Sequence, residues 1–187
     1  MKKPSIFTVG HSTRSVDEFI ELLQAHCVRE VVDVRTVPKS RHNPQFNEED
    51  LKQSLKQKHI RYKHLKKLGG LRHTKKDSIN LGWHNTSFRG FADYMATSEF
   101  SDGLETLIKI ASLRETTIMC AEAVPWRCHR SLIADALAKK GWIVRDIMSN
   151  TSASKHRLTP FLKRKNGQLI YPAPKNDLLK PEIMFSY

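Results

Sequence analysis

Four short runs of mostly β-branched or apolar residues, Ser5–Val9, Glu30–Val34, Thr116–Cys120 and Trp142–Ile147, alternate with segments of helical periodicity. No other feature constrains the fold as much. A run such as Glu30-Val31-Val32-Asp33-Val34, nearly all apolar, suits a parallel strand covered on both faces. The intervening segments carry helix signals. Ser15-Val16-Asp17-Glu18 is a capping box, and Phe19, Ile20, Leu22 and Leu23 then share one face as far as Cys27, itself read as core. Asn47 is expected to cap a helix over residues 48–58, with Leu51 and Leu55 inward. Pro125 is placed to start a helix that Gly141 ends. Residues 88–95 and 100–112 read as two further helices, and Ile60–Tyr62 as a short edge strand.

Strands alternating with helices predict an α/β fold: a single domain with a mostly parallel sheet of about five strands flanked by helices. Residues 1–149 make up this domain, with its pocket at the carboxyl ends of the strands. Residues 150–187 are polar and basic, with Pro160, Pro172, Pro174 and Pro181. They read as a C-terminal extension, packed on the domain or trailing from it, with one short helix or hairpin. The polar stretch 69–87 is long for a plain connection, and such loops often serve as lids or binding loops.

The formal net charge is +13, and it is unevenly spread. Between Leu51 and Lys76 there are ten Lys or Arg residues and no Asp or Glu. So one-sided a field attracts polyanions, although a charge run also serves as a solvated helix face. Lys63, Lys66, Lys67, Arg72, Lys75 and Lys76 are the candidate nucleic-acid surface. Basic and aromatic residues interleave at 40–46, 62–64, 83–84 and 88–89. That pattern suits base stacking in a basic groove, while Phe46, Tyr62 and Phe88 serve equally well as core.

No apolar run approaches the roughly 20 residues needed to span a bilayer, and the start lacks the apolar stretch of a secretory signal. Three cysteines (Cys27, Cys120, Cys128) without scaffold spacing are expected as free thiols. A cytoplasmic protein with no membrane contact and no cofactor is the expectation.

Three polar clusters fall where open parallel sheets bind ligands, beyond the strand ends. In Gly10-His11-Ser12-Thr13-Arg14, Gly10 allows a tight turn, Ser12 and its neighbours could hold an anion, and His11 is either an acid/base group or a backbone-bonded structural one. In Asp33-Val34-Arg35 the two charged side chains share one direction, which reads either as a structural ion pair or as a base beside a phosphate-holding Arg. Ser40 and Arg41 follow in the next loop.

The third cluster runs Cys120-Ala121-Glu122-Ala123-Val124-Pro125-Trp126-Arg127-Cys128-His129-Arg130. A helix N-terminus carries about half a positive charge, so Cys128 beside Arg127 and Arg130 is the candidate nucleophile and Cys120 the structural thiol. Cys120, Cys128 and His129, with Glu122, also have the atoms for zinc, but lack a CxxC pair or a second His at metal spacing. A tyrosine-phosphatase-like cradle is a poorer match, with six residues between Cys120 and Arg127 where that cradle has five. A phosphate cradle clamped by Arg127 and Arg130, with the thiols only lining it, is the preferred of these readings.

Gly10-His11-Ser12-Thr13, Asp33-Val34-Arg35 with Pro38 and Ser40-Arg41, Leu68-Gly69-Gly70, and Cys120-Ala121-Glu122 with Cys128-His129-Arg130 together resemble the bacterial and archaeal family known as domain of unknown function 488. The likeness runs in order from about Phe7 to Ser149. It implies an α/β domain whose polar residues line one pocket, and it supplies no activity.

The leading expectation is an enzyme directed at a nucleic acid or nucleotide. His11, Asp33, Glu122 and His129 are its acid/base candidates and Cys128 its nucleophile. Ser12, Arg35, Ser40, Arg41, Gly69, Gly70, Arg127 and Arg130 are the substrate or phosphate contacts. Two alternatives stand beside it: a non-catalytic nucleic-acid-binding module, and a thiol- or metal-dependent protein acting on a small anion.

Overall fold

The computed structural model describes residues 3–174; the last part of the expected basic extension lies outside the described residues. Strands β1 (Ser5–Gly10), β2 (Glu30–Asp33), β3 (Arg61–His64), β4 (Thr116–Cys120) and β5 (Ile143–Ser149) are all parallel, and β6 (Ser152–Lys155) adds antiparallel to β5. The spatial order is β3-β2-β4-β1-β5-β6. The fold is thus the expected α/β type with a mostly parallel sheet. Its sixth strand and a hairpin, β7 (Lys163–Lys165) with β8 (Gln168–Ile170), both come from beyond residue 149.

Helix α1 (Val16–Ala25) starts at the full Ser15–Glu18 capping box. Helix α2 (Glu48–Gln57) begins after Asn47, but the Asn47 side chain makes no cap bond and instead accepts the backbone N–H of Ser40. Helix α3 (Thr86–Tyr94) starts two residues earlier than its apolar face suggests, because the Asn85 side chain accepts from Ser87 and Phe88. Helix α4 (Ser98–Ala111) is capped by Thr97, and α5 spans Arg130–Lys139.

The sheet is covered on both faces, as its apolar strands require. On one face Val9, Val31 and Met119 pack with Phe19, Leu23, Leu51 and Leu55 from α1 and α2. On the other, Ile6, Val32, Val34 and Ile118 pack with Leu104, Leu107, Leu132 and Leu137 from α4 and α5. Neighbouring residues of one strand therefore serve opposite cores.

Cys27, expected in the core, is exposed at a positive φ of 56°. It ends the turn after α1, so its side chain leaves the apolar face. The polar stretch after Gly70 is tied down by buried Asp93, which accepts from Lys75 N, Ser78 Oγ and Asn80 Nδ2. Tyr171, fully buried, reaches Asp135 on α5 through its hydroxyl.

Candidate functional site

The backbone of all three polar clusters meets at the carboxyl edge of the sheet. His11 and Ser12 donate to the carbonyls of Cys120 and Ala121, and Val34 N donates to Met119. Gly10 is required there. A Cβ on it would stand 1.9 Å from the Glu122 carbonyl oxygen and 2.9 Å from Ala123 Cα, so the turn after β4 can cross only a bare backbone.

The side chains, however, divide into two groups on opposite faces. In the first, Asp33 is completely buried and accepts from Arg35 N, Nε and Nη2 and from the Tyr62 hydroxyl, at 2.6–3.0 Å. Arg35 also donates to the Phe46 carbonyl. The His11 ring stacks on Phe46 at 4.1 Å, its Nδ1 donates to the Ser12 carbonyl, and its Nε2 faces Arg35 Nη1 at 3.4 Å. Burial, with a smaller push from the Arg35 cation, takes His11 down to about 4 despite the bond to Ser12. His11 is therefore a neutral acceptor near pH 7. Each of these groups is spent on another, which is the structural ion pair and not a free base.

The second group is built by β4 and the turn after it. Pro125 starts only a 3-10 turn, Pro125–Arg127, and Cys128 is then extended (φ −133°, ψ 141°) before α5 begins at Arg130. Cys128 thus precedes the helix and does not lie in its first turn. That extended residue turns its thiol back toward Cys120, and Cys120 Sγ, Cys128 Sγ and a ring nitrogen of His129 all lie within 4.8 Å of one another. Cys128 Sγ is 3.7 Å from His129 Nδ1. His129 Nε2 donates to the carbonyls of Val34 (3.0 Å) and Leu68 (3.1 Å), so Nδ1 carries the lone pair.

Arg130 is 1% exposed; Nη1 and Nη2 donate to the carbonyls of Glu122 and Ala123, and Nε has no hydrogen-bond partner. Among the described residues no carboxylate pairs with it. A buried cation without a carboxylate favours a nearby anion. The Cys120 thiol donates toward Cys128 and, with the Arg130 charge, holds Cys128 down to about 7 against the effect of burial. Cys120 is pushed up by the same bond and by burial. The backbone N–H of Arg130, the first residue of α5, adds a smaller push in the same direction.

The remaining expected contacts are more scattered. Glu122, Arg127 and Arg41 are exposed, and Glu122 enters the site through its carbonyl alone. Ser12 sits at a φ of 54°. Ser40 bonds within its own loop, to Asn43 and Asn47. The Gly69 carbonyl accepts from Arg72 Nε, and the Arg72 guanidinium lies 3.6 Å from the centre of the Tyr94 ring. Lys67 pairs with Asp102 at 3.0 Å. Lys63, Lys66, Lys75 and Lys76 are exposed.

The aromatic residues expected to stack bases are engaged elsewhere. Phe46 is buried under His11, Tyr62 bonds Asp33, and Trp83 stacks on Phe88. Trp126, in the turn between the two cysteines, is instead 60% exposed. Its place between Pro125 and Arg127 was the available signal, since a 3-10 turn leaves little apolar surface to bury such a ring.

A family model described as "Domain of unknown function DUF488" matches residues 15–137. The chain belongs to the DUF488 family. The DUF488 match holds Asp33, Arg35, Gly69, Gly70, Cys120, Cys128, His129 and Arg130, and it stops short of the wider resemblance at both ends, leaving Gly10–Thr13 outside. No curated protein and no solved structure matches the chain. Among the described residues no helix is long and apolar enough to cross a membrane.

Proposed function

We propose that this DUF488 protein is a cytoplasmic enzyme acting on nucleic acid or nucleotides, with its chemistry at Cys120, Cys128, His129 and Arg130. The observation that carries this reading is the His129–Leu68 bond. It joins the thiol centre directly to the segment that holds Lys63, Lys66, Lys75 and Lys76. A phosphate chain held by those exposed lysines would run past His129, with Trp126 available to stack a base. The grip then comes from the surface lysines. Arg35 and Arg130, assigned to the phosphate from sequence, are already committed to Asp33 and to backbone carbonyls.

The test is binding of labelled single-stranded DNA, duplex DNA and RNA across a salt series, followed by a search for turnover. Replacing Lys63, Lys66, Lys75 and Lys76 with Ala is expected to abolish binding, and Cys128→Ser to abolish turnover while leaving binding intact. Turnover that survives Cys128→Ser would overturn the assignment of the centre.

One observation favours a second reading, a thiol- or metal-dependent protein for a small anion. The aromatic residues interleaved with the basic ones are mostly packed inward, which leaves few stacking platforms. Absence of polynucleotide binding at low salt, with binding of a small phosphorylated compound, would select this reading.

A further inference from the structure

The centre has a geometry that its acid/base and nucleophile roles leave unused. Cys120 ends β4, and the turn 121–127 brings Cys128 and His129 back to it, so three borderline-soft donors from eight and nine residues apart converge within 4.8 Å. The histidine is fixed as a ligand would be. Its Nε2 proton is divided between two backbone carbonyls, and this outer bond holds the tautomer that leaves Nδ1 free toward Cys128. Metal-bound histidines carry the same kind of second bond.

The ring is also clamped. A Cβ on Gly70 would lie 2.4, 2.6 and 2.9 Å from Nδ1, Cγ and Cε1, distances that put it over the face of the ring and out of its plane. The Gly70 backbone therefore covers the face and leaves the in-plane lone pair open. Phe91 packs against the ring at 4.9 Å with an interplanar angle of 62°.

We propose that Cys120 Sγ, Cys128 Sγ and His129 Nδ1 bind a Zn²⁺ ion. Two thiolates and one imidazole select a thiophilic cation over Mg²⁺ or Ca²⁺. Three protein ligands leave the fourth position of a tetrahedral ion for water or a substrate atom. The charges agree. Two thiolates balance the ion, and the Arg130 cation beside Cys128, with no carboxylate of its own among the described residues, then favours an anion in that fourth position. Cys128 is on this account a ligand and not the attacking atom. The inference concerns the same centre but needs no nucleic acid, since its probe is the ion itself.

The full-length protein, reduced and stripped with a chelator, is titrated with Co²⁺. The expected result is one equivalent bound, with the intense visible absorption of four-coordinate cobalt and a thiolate charge-transfer band, both erased by Zn²⁺. Cys120→Ser, Cys128→Ser and His129→Gln should each weaken binding at least about 100-fold, whereas Cys27→Ser should not. No spectral change, or cobalt binding retained in both Cys120→Ser and Cys128→Ser, overturns the proposal. Should a variant misfold, X-ray absorption on the zinc-loaded wild type decides alone: two sulfurs and one nitrogen are expected, and a shell of oxygen ligands refutes the site. Loss of nucleic-acid binding in the salt series would leave this result untouched, so the two proposals fail separately.

Discussion

Asp135 Oδ1 on α5 accepts Nε2 of His156 at 2.9 Å, while the other ring nitrogen of His156 faces Asp146 on β5 at 3.4 Å. The same Asp135 accepts from Thr159 and Tyr171, and Asp146 from Thr8. One histidine thus bridges two buried carboxylates and pins the segment after β6 to the domain.

Burial alone would lower His156, but its bonds to the two aspartates outweigh this and raise it from 6.5 to about 9. A folded value above the unfolded one means stability that is complete below pH 6.5 and lost as pH rises through 9. Thermal unfolding should show Tm between pH 6.5 and 9 losing ground in the wild type relative to His156→Leu, so that the Tm difference between the two shrinks as pH rises. At pH 6.5 that variant should lose about 3–5 kcal/mol, because two carboxylates stay buried without their cation.

Asp33→Ala should be costly to stability. It strands Arg35 inside the core, and removing one partner of a buried pair costs about 3–5 kcal/mol. Urea unfolding checks this. A stable Asp33→Ala protein would refute the structural role given to the pair.

Gly70→Ala should displace His129 without replacing a ligand or a charge. The added methyl meets the imidazole at 2.4 Å, and Phe91 packs against the same ring at 4.9 Å. Cobalt affinity is expected to drop about 10- to 100-fold, as for loss of an outer-sphere partner, with a modest fall in Tm. Unchanged affinity would mean that the ring has room to move.

Thiol counting separates the three cysteines. Cys27 is exposed, whereas Cys120 and Cys128 are 9% and 4% exposed. A thiol reagent should therefore modify one cysteine quickly in the native protein and three in denaturant. Cys27→Ser should abolish the fast phase.

If a duplex binds the four exposed lysines, replacing Lys63, Lys66, Lys75 and Lys76 should reduce the slope of log affinity against log salt by up to about 3.6. Trp126→Ala should weaken single strands by about 1–3 kcal/mol and duplex much less, because stacking needs an open base. An equal loss for both forms would argue that Trp126 only supports its turn.

Sequence alone determined the α/β class, the five parallel strands and the capping box at Ser15, because these depend on local periodicity and near-neighbour hydrogen bonds. It also picked out most of the residues at the carboxyl edge of the sheet. Only tertiary structure decided which of them face one another. Asp33 and Arg35 alternate with Val34, so the pleat sends the pair into one core and Val34 into the other. His129 finds its partners 61 and 95 residues away, at Leu68 and Val34. Cys128 left its expected helix because the Pro125–Arg127 turn closes early and the next residue is extended. Side-chain direction at a strand end and contact across distant segments are set by packing, and packing has no local signature in the chain.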